Sequence, residues 1–207
     1  MKKFLMFTVL IAFSLASFSQ IPLIIKAGYG KSDWRGDAVS STDAQYDWKV
    51  GVGTEFYLYE RFFLQPMLYF VNEGTVLNAV STSSTDGTAR VIYHQNYLQL
   101  PVLLGYRTHI SPRVNIVSTI GPYVGYGIYG KKRTSITLSG STSSSSVNTF
   151  DDGNVEKLDA GISAGVGLEF QRMTIGADFQ FGMLDLIKNV NARNIAGFLT
   201  MGYRFDL

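Results

Sequence analysis

The chain has 207 residues, 18 Lys+Arg against 16 Asp+Glu, and no cysteine. That length suits one domain, the missing cysteines exclude a disulfide framework, and charges of both signs with no polybasic stripe argue against a nucleic-acid partner. Beyond the N-terminus no run is apolar enough for a membrane helix of about 20 residues, which excludes a helical inner-membrane protein.

The first element reads as a targeting signal. Lys2 and Lys3 precede an apolar stretch from Phe4 to Ala16, and Ala16-Ser17-Phe18-Ser19 places small residues where a signal peptidase reads. The expected signal peptide is 1–19, with cleavage leaving Gln20 at the start of a mature domain, 20–207. No cysteine follows, so a lipoprotein anchor is not expected. Removing 1–19 takes away Lys2 and Lys3 and no acid, which leaves 16 basic and 16 acidic residues.

From there the pattern is that of strands. Expected strands span 21–31, 46–59, 61–74, 90–108, 113–130, 155–170, 172–184 and 194–205. The clearest case is the pair at 155–184. Leu158, Ala160, Ile162, Ala164, Val166, Leu168 and Phe170 alternate with Asp159, Gly161, Ser163, Gly165, Gly167 and Glu169. After Gln171-Arg172 the alternation resumes with Met173, Ile175, Ala177, Phe179 and Phe181. Period-two alternation means a strand with one apolar and one polar face, and a two-residue link joins two of them as a hairpin. The connections alternate in length: 60–61, 109–112 and 171–172 are tight, whereas 32–45, 75–89, 131–154 and 185–193 are long or polar. Short turns at one end and long loops at the other are the arrangement of a bacterial outer-membrane barrel, with both termini on the periplasmic side. The serine-rich segment 131–154 is low in complexity and is expected to be mobile.

These strands predict an all-β fold, an eight-stranded antiparallel up-and-down transmembrane β-barrel with a polar interior. The outward set includes Ile25, Ala27, Val50, Val52, Phe56, Leu64, Leu68, Leu98, Leu100, Val102, Leu104, Leu168, Ile175, Phe179, Leu199, Met201 and Tyr203. Inward are Lys26, Lys49, Glu55, Gln65, Gln99, Arg107, Asp159, Glu169, Asp178, Gln180 and Arg204, interspersed with glycines. An eight-stranded interior is just wide enough for side chains to fill. Unpaired buried charge is costly, so Lys26, Lys49, Glu55, Glu169, Asp178 and Arg204 are expected to form a charge network that plugs the lumen. An ion path through that lumen is the competing reading. A soluble lipocalin-like barrel would need the glycine-and-charge face to point to solvent.

Several segments, in order, carry a resemblance. Lys26-Ala27-Gly28-Tyr29-Gly30, Trp34-Arg35-Gly36-Asp37, Phe63-Leu64-Gln65-Pro66 with Tyr69, the run from Asn96 to Leu104, Gly121-Pro122-Tyr123-Val124-Gly125 and Gly202-Tyr203-Arg204-Phe205 span nearly the whole mature chain. Together they resemble the small outer-membrane β-barrel domain common in Bacteroidetes and often labelled the PorT family. Met67 and Gln99 replace residues that are usually acidic there, and Asp206-Leu207 extend past the usual aromatic end. The resemblance implies insertion by the general barrel-assembly machinery and implies no single activity.

Motifs for chemistry are sparse. His94 and His109 are expected at opposite ends of the barrel, which rules out a shared metal site. His94 with a loop serine and Asp86 or Asp151 is the one arrangement that would suit a rim enzyme, and no Gly-x-Ser-x-Gly supports it. Asp151-Asp152-Gly153-Asn154 lacks the ligand series of a calcium loop. Lys131-Lys132-Arg133 sits where lipid phosphates lie or where a barrel carries its charged rim. The expected function is a non-enzymatic outer-membrane protein with a structural or interaction role in its outer loops and no cofactor. Expected partners are outer-membrane lipid and lipopolysaccharide, the barrel-assembly machinery and an envelope or secretion protein. A narrow pore and a rim-located lipid-modifying enzyme are the alternatives.

Overall fold

The computed structural model describes residues 21–36, 42–81, 87–138, 141–150, 155–187 and 191–206. The expected signal peptide, Asp37, Asp86 and the 151–154 turn lie outside the described residues. Among those described there are ten strands and no helix: β1 (Leu23–Arg35), β2 (Thr42–Thr54), β3 (Phe56–Tyr59), β4 (Phe62–Ser81), β5 (Gly87–Ser111), β6 (Val114–Leu138), β7 (Ser141–Asn148), β8 (Leu158–Phe170), β9 (Met173–Gly182) and β10 (Arg193–Phe205).

Every pairing is antiparallel, and the ring closes. β1 bonds to β2 on one side and β10 on the other, and β2 bonds to β4. The circuit is β1-β2-β4-β5-β6-β8-β9-β10. β3 prolongs β2 past Glu55 and pairs with β4, so the two count as one stave. The result is a closed eight-stranded antiparallel barrel, which has no free edge around its circumference. Both described ends, at Leu23 and Phe205, face each other at one rim. The turns at 60–61, 112–113 and 171–172 share that rim. Gln171 takes φ 56°, the left-handed conformation that a two-residue hairpin link calls for.

At the other rim the strands outrun the expected boundaries. Segment 75–89 was expected to be a loop, yet β4 and β5 stay paired from Thr75↔Tyr93 to Ser81↔Gly87. β6 continues to Leu138, and β7 folds back on it from Lys131↔Asn148 to Leu138↔Ser141. The expected mobile loop at 131–154 is therefore largely a hairpin. The reason is physical: a serine-rich strand needs no core if its backbone bonds to a neighbour already held in place, since its hydroxyls stay solvated. β5 and β6, at 25 residues each, are more than twice the ~9–11 residues that a tilted strand needs to cross a bilayer. The excess forms a sheet standing clear of the barrel.

Facing follows the alternation. Leu199 is 75% exposed and Ile175 51%, whereas Lys49 is 2% exposed and Asp159 0%. The outward set is exposed save Leu64, which is half-buried. The middle rows of this outer face are aliphatic: Val50, Val52, Leu100, Val102, Val124, Ile162, Leu199 and Met201. Aromatic rings flank them. At the turn end Phe62 stacks on Tyr106 (4.8 Å) and Tyr203 on Phe205 (4.6 Å). At the sheet end Tyr29 stacks on Tyr46 (5.9 Å), with Trp48, Tyr126 and Tyr129 exposed nearby in the register. An apolar band between two aromatic girdles is what a bilayer selects on the outside of a barrel.

Candidate functional site: a layered lumen and its apolar cap

The inward side chains form layers along the barrel axis. Nearest the turn end, Arg107 on β5 lies between two carboxylates: its Nη2 is 2.9 Å from Glu55 Oε2 and 2.9 Å from Glu169 Oε2. Arg204 Nη1 approaches the same oxygens at 3.9 and 3.3 Å. The free carboxylate oxygens accept hydrogen bonds from Gln65 Nε2 (3.1 Å) and Asn115 Nδ2 (2.7 Å). Arg107 Nη1 donates to Tyr57 Oη (2.8 Å), and the guanidinium lies over the Phe63 ring at 4.7 Å. Two arginines and two glutamates make this layer neutral. A planar guanidinium suits it because a fixed fork of donors reaches several acceptors at once.

Phe63 reaches Arg107 because its cross-strand partner is Gly105. A Cβ on Gly105 would fall 2.1 Å from Phe63 Cζ. The glycine lets the ring fold flat over the neighbouring strand, an aromatic–glycine pairing that also pins register.

The next layer joins β1, β2 and β9. Lys26 Nζ and Lys49 Nζ each lie 2.8 Å from Asp178, on Oδ1 and Oδ2 respectively. The Lys49 ammonium also sits 4.8 Å from the centroids of Tyr69 and Phe198. Those rings belong to an apolar cluster with Ile24, Met67, Val71 and Ala196. A cavity of about 40 Å³ touches Lys26, Glu55, Glu169, Asp178 and Arg204, room for about one water or a few.

Above this is an uncharged-donor layer around three carboxylates. Glu73 accepts from Gln99 Nε2 (3.2 Å) and from Asn194 Nδ2. Gln180 Nε2 donates to Gln99 Oε1 (2.8 Å). Asp159 Oδ2 accepts from Tyr123 Oη (3.0 Å), and Asp47 Oδ2 from Ser32 Oγ and from Gly74 N (3.1 Å). Among the described residues no ion pair reaches these three carboxylates.

The mouth at the sheet end is closed by apolar side chains. Trp34, Tyr93, Tyr97, Phe150, Val155 and Leu186 form one buried cluster. Trp34 and Tyr93 lie 4.9 Å apart, and Phe150 meets Tyr97 edge-on at 6.2 Å. Backbone bonds hold the covering segments: Val155 bridges Ile187, Glu156 N donates to Leu186 O (2.8 Å), and Leu186 N to Ala192 O (2.8 Å).

The six expected network residues thus fall into two groups, Lys26–Asp178–Lys49 and Glu55–Glu169–Arg204. Arg107, read as inward but left out of the network, is the hub of the second. Asp47, Glu73 and the cap were missed. Strand parity places Glu73 with Gln65 and Asp47 with Lys49, so the alternation did carry that signal. No periodicity marks Phe150 or Leu186, which lie in connecting segments. His94 and His109 are at opposite ends. His94 Nδ1 meets Gln45 Nε2 at 2.6 Å, and His109 contacts Asn115 beside the turn end. Among the described residues no group of three or more His, Asp or Glu is arranged to hold a metal ion.

A closed barrel with a lipid-suited exterior and a charged interior is a transmembrane barrel of the outer-membrane class. The chain belongs to the outer membrane protein beta-barrel domain family, whose model matches residues 4–188. It is an outer-membrane protein. No curated protein matches its sequence. Solved structures similar to it include Ail, the attachment invasion locus protein of Yersinia pestis, at 16% identity and TM-score 0.41, covering 90% of this chain and 99% of that one. Neisserial surface protein A is similar at 14% identity and TM-score 0.42, covering 90% and 97%. OprG from Pseudomonas aeruginosa is similar at 10% identity and TM-score 0.36, covering 91% and 98%.

Proposed function

We propose that this chain is a non-conducting, non-enzymatic outer-membrane barrel that acts through its outer surface. The observation that carries the reading is the double closure of the lumen. The Arg107–Glu55–Glu169–Arg204 layer fills one end, and the Trp34–Tyr93–Phe150–Leu186 cap fills the other. Ions crossing it would have to displace buried ion pairs and then an apolar lid. Such a barrel is a rigid stand, and what it presents is the sheet beyond the girdle. Signal-peptide export of 1–19, insertion by the barrel-assembly machinery and orientation with the turns in the periplasm are part of this reading, supported by the sequence pattern and by the usual arrangement of such barrels. The ordered motifs at Leu64-Gln65-Pro66 and Gly121-Pro122-Tyr123-Val124-Gly125 favour a PorT-type member of the family. The partner is an envelope or secretion protein, or the lipopolysaccharide around it.

The test is photo-crosslinking in cells from single positions at each end. Crosslinks from Ser144 on β7, with none from Glu60 or Arg113 in the opposite turns, are the expected result. Specific adducts from Glu60 or Arg113 alone would move the working surface to the periplasm and overturn the reading.

A further inference from the structure

The projecting sheet has a sided charge. β5, β6 and β7 together contain Arg90, Arg107, Lys131, Lys132 and Arg133 and not one Asp or Glu. Arg107 lies in the lumen, and Lys132 turns to the inner side, its Nζ 5.6 Å from the centroid of Tyr93 in the cap cluster. Arg90, Lys131 and Arg133 are exposed. The register puts them on the opposite, outward face in three successive rows: His94↔Lys131↔Asn148, Ile92↔Arg133↔Ser146 and Arg90↔Ser135↔Ser144. Rows are about 7 Å apart and neighbouring strands about 5 Å. Each cation is therefore within side-chain reach of the next and of a hydroxyl on β7. Arg133, Ser144 and Ser146 share one shallow groove. The nearest acid on these rows is Asp43, paired with Val76 at the β2 end of the Arg133 row, three strands or about 14 Å away.

Height matters as much as sign. Tyr129, on the same face, is exposed and lies two residues before Lys131. Its ring belongs to the girdle that marks the membrane interface. Lys131 and Arg133 therefore stand in the first ~15 Å beyond that girdle, where the phosphates of outer-leaflet glycolipid lie beside the barrel wall.

We propose that the outward face of β5–β7 binds the phosphate groups of lipopolysaccharide, with Lys131, Arg133 and Arg90 as charge partners and the β7 serines as hydroxyl donors. It rests on the outward orientation of the proposed function and names the partner for that surface. A guanidinium and an ammonium set against hydroxyls suit a phosphorylated sugar, since arginine meets phosphate with two parallel N–H bonds and serine adds a neutral donor.

The experiment titrates bis-phosphorylated lipid A into the folded full-length mature chain in detergent, beside enzymatically dephosphorylated lipid A. The proposal predicts at least tenfold weaker binding of the dephosphorylated form. It predicts a similar loss for Lys131→Gln/Arg133→Gln and none for Arg113→Gln at the opposite end. Retained gel mobility of the unheated, folded form shows that the variants still fold, and both changes are at exposed positions. Equal binding of the two lipids, or no effect of the double variant, overturns the proposal. Binding of a soluble sulfated polysaccharide with the same cation dependence, and no binding of lipid A, overturns it in favour of a free polyanion. None of these outcomes bears on whether the lumen conducts, which a current measurement reads separately.

Discussion

Lys49 and Asp178 are 129 residues apart in sequence, on β2 and β9, yet the ammonium lies 2.8 Å from Oδ2 inside the barrel. The pair connects staves that do not touch along the wall, so it cross-braces the ring from within. Asp178 also holds Lys26, which makes the two partners unequal. Removing Lys49 leaves Asp178 with one cation. Removing Asp178 leaves two ammonium groups facing each other without a counter-charge. Asp178→Asn is expected to cost about 3–5 kcal/mol, the usual result of orphaning buried charge, and Lys49→Met distinctly less. Urea midpoints of the two variants folded in lipid vesicles check the order.

Arg107 stands in the same relation to Glu55 and Glu169. Arg107→Met leaves both carboxylates to Arg204, which reaches them only at 3.9 and 3.3 Å. The expected loss is again about 3–5 kcal/mol. Adding Glu55→Gln to Arg107→Met should recover much of it, because the amide needs no counter-charge and Glu169 keeps Arg204 as its partner at 3.3 Å. A double variant as unstable as the single one would mean that the guanidinium acts through packing on Phe63 and not through charge.

Gly105 and Phe63 make a steric prediction. Gly105→Val puts side-chain atoms where the Phe63 ring lies, and overpacking of this kind typically costs about 1–3 kcal/mol. If the clash with the ring is the cause, Phe63→Ala should be less costly in the Gly105→Val background than in wild type. A double-mutant cycle on unfolding free energies reads this directly.

The lipid-facing side allows a depth test. Among the described residues Leu199 is the most exposed of the large apolar side chains, and it sits between the two girdles. Leu199→Arg is expected to cost about 2–4 kcal/mol in a bilayer, and the same change at exposed Tyr59, in the turn-end girdle, about 0–1. Equal costs at both positions would put the membrane somewhere else on the barrel.

The barrel was legible because one rule, alternation, acts on every stave. Leu199 outward and Lys49 inward are fixed by parity alone, and the short turns at 60–61 and 171–172 set the count. Two things were not legible. The first is which charges meet: parity places Arg107 inside but says nothing of height, and pairing depends on the stagger of strands distant in sequence. The second is the region beyond the girdle. There the bilayer no longer selects apolar residues on one face, so β4–β7 lose the alternating signal while their backbones stay paired. The serines of β7 look like a linker in composition and act as a strand in context. Phe150 and Leu186 enter the cap from connecting segments that have no period to read.

Closure of the lumen is read by planar-bilayer conductance of the mature chain, with wild type recorded beside Glu55→Ala. Wild type is expected to carry no steady current, because the Arg107 layer and the Phe150 cap each block the path. Glu55→Ala is also expected to be silent, since the cap remains. A reproducible, ohmic current from wild type, with an ion selectivity that changes in Glu55→Ala, would mean that the lumen is open and that this barrel is a narrow pore.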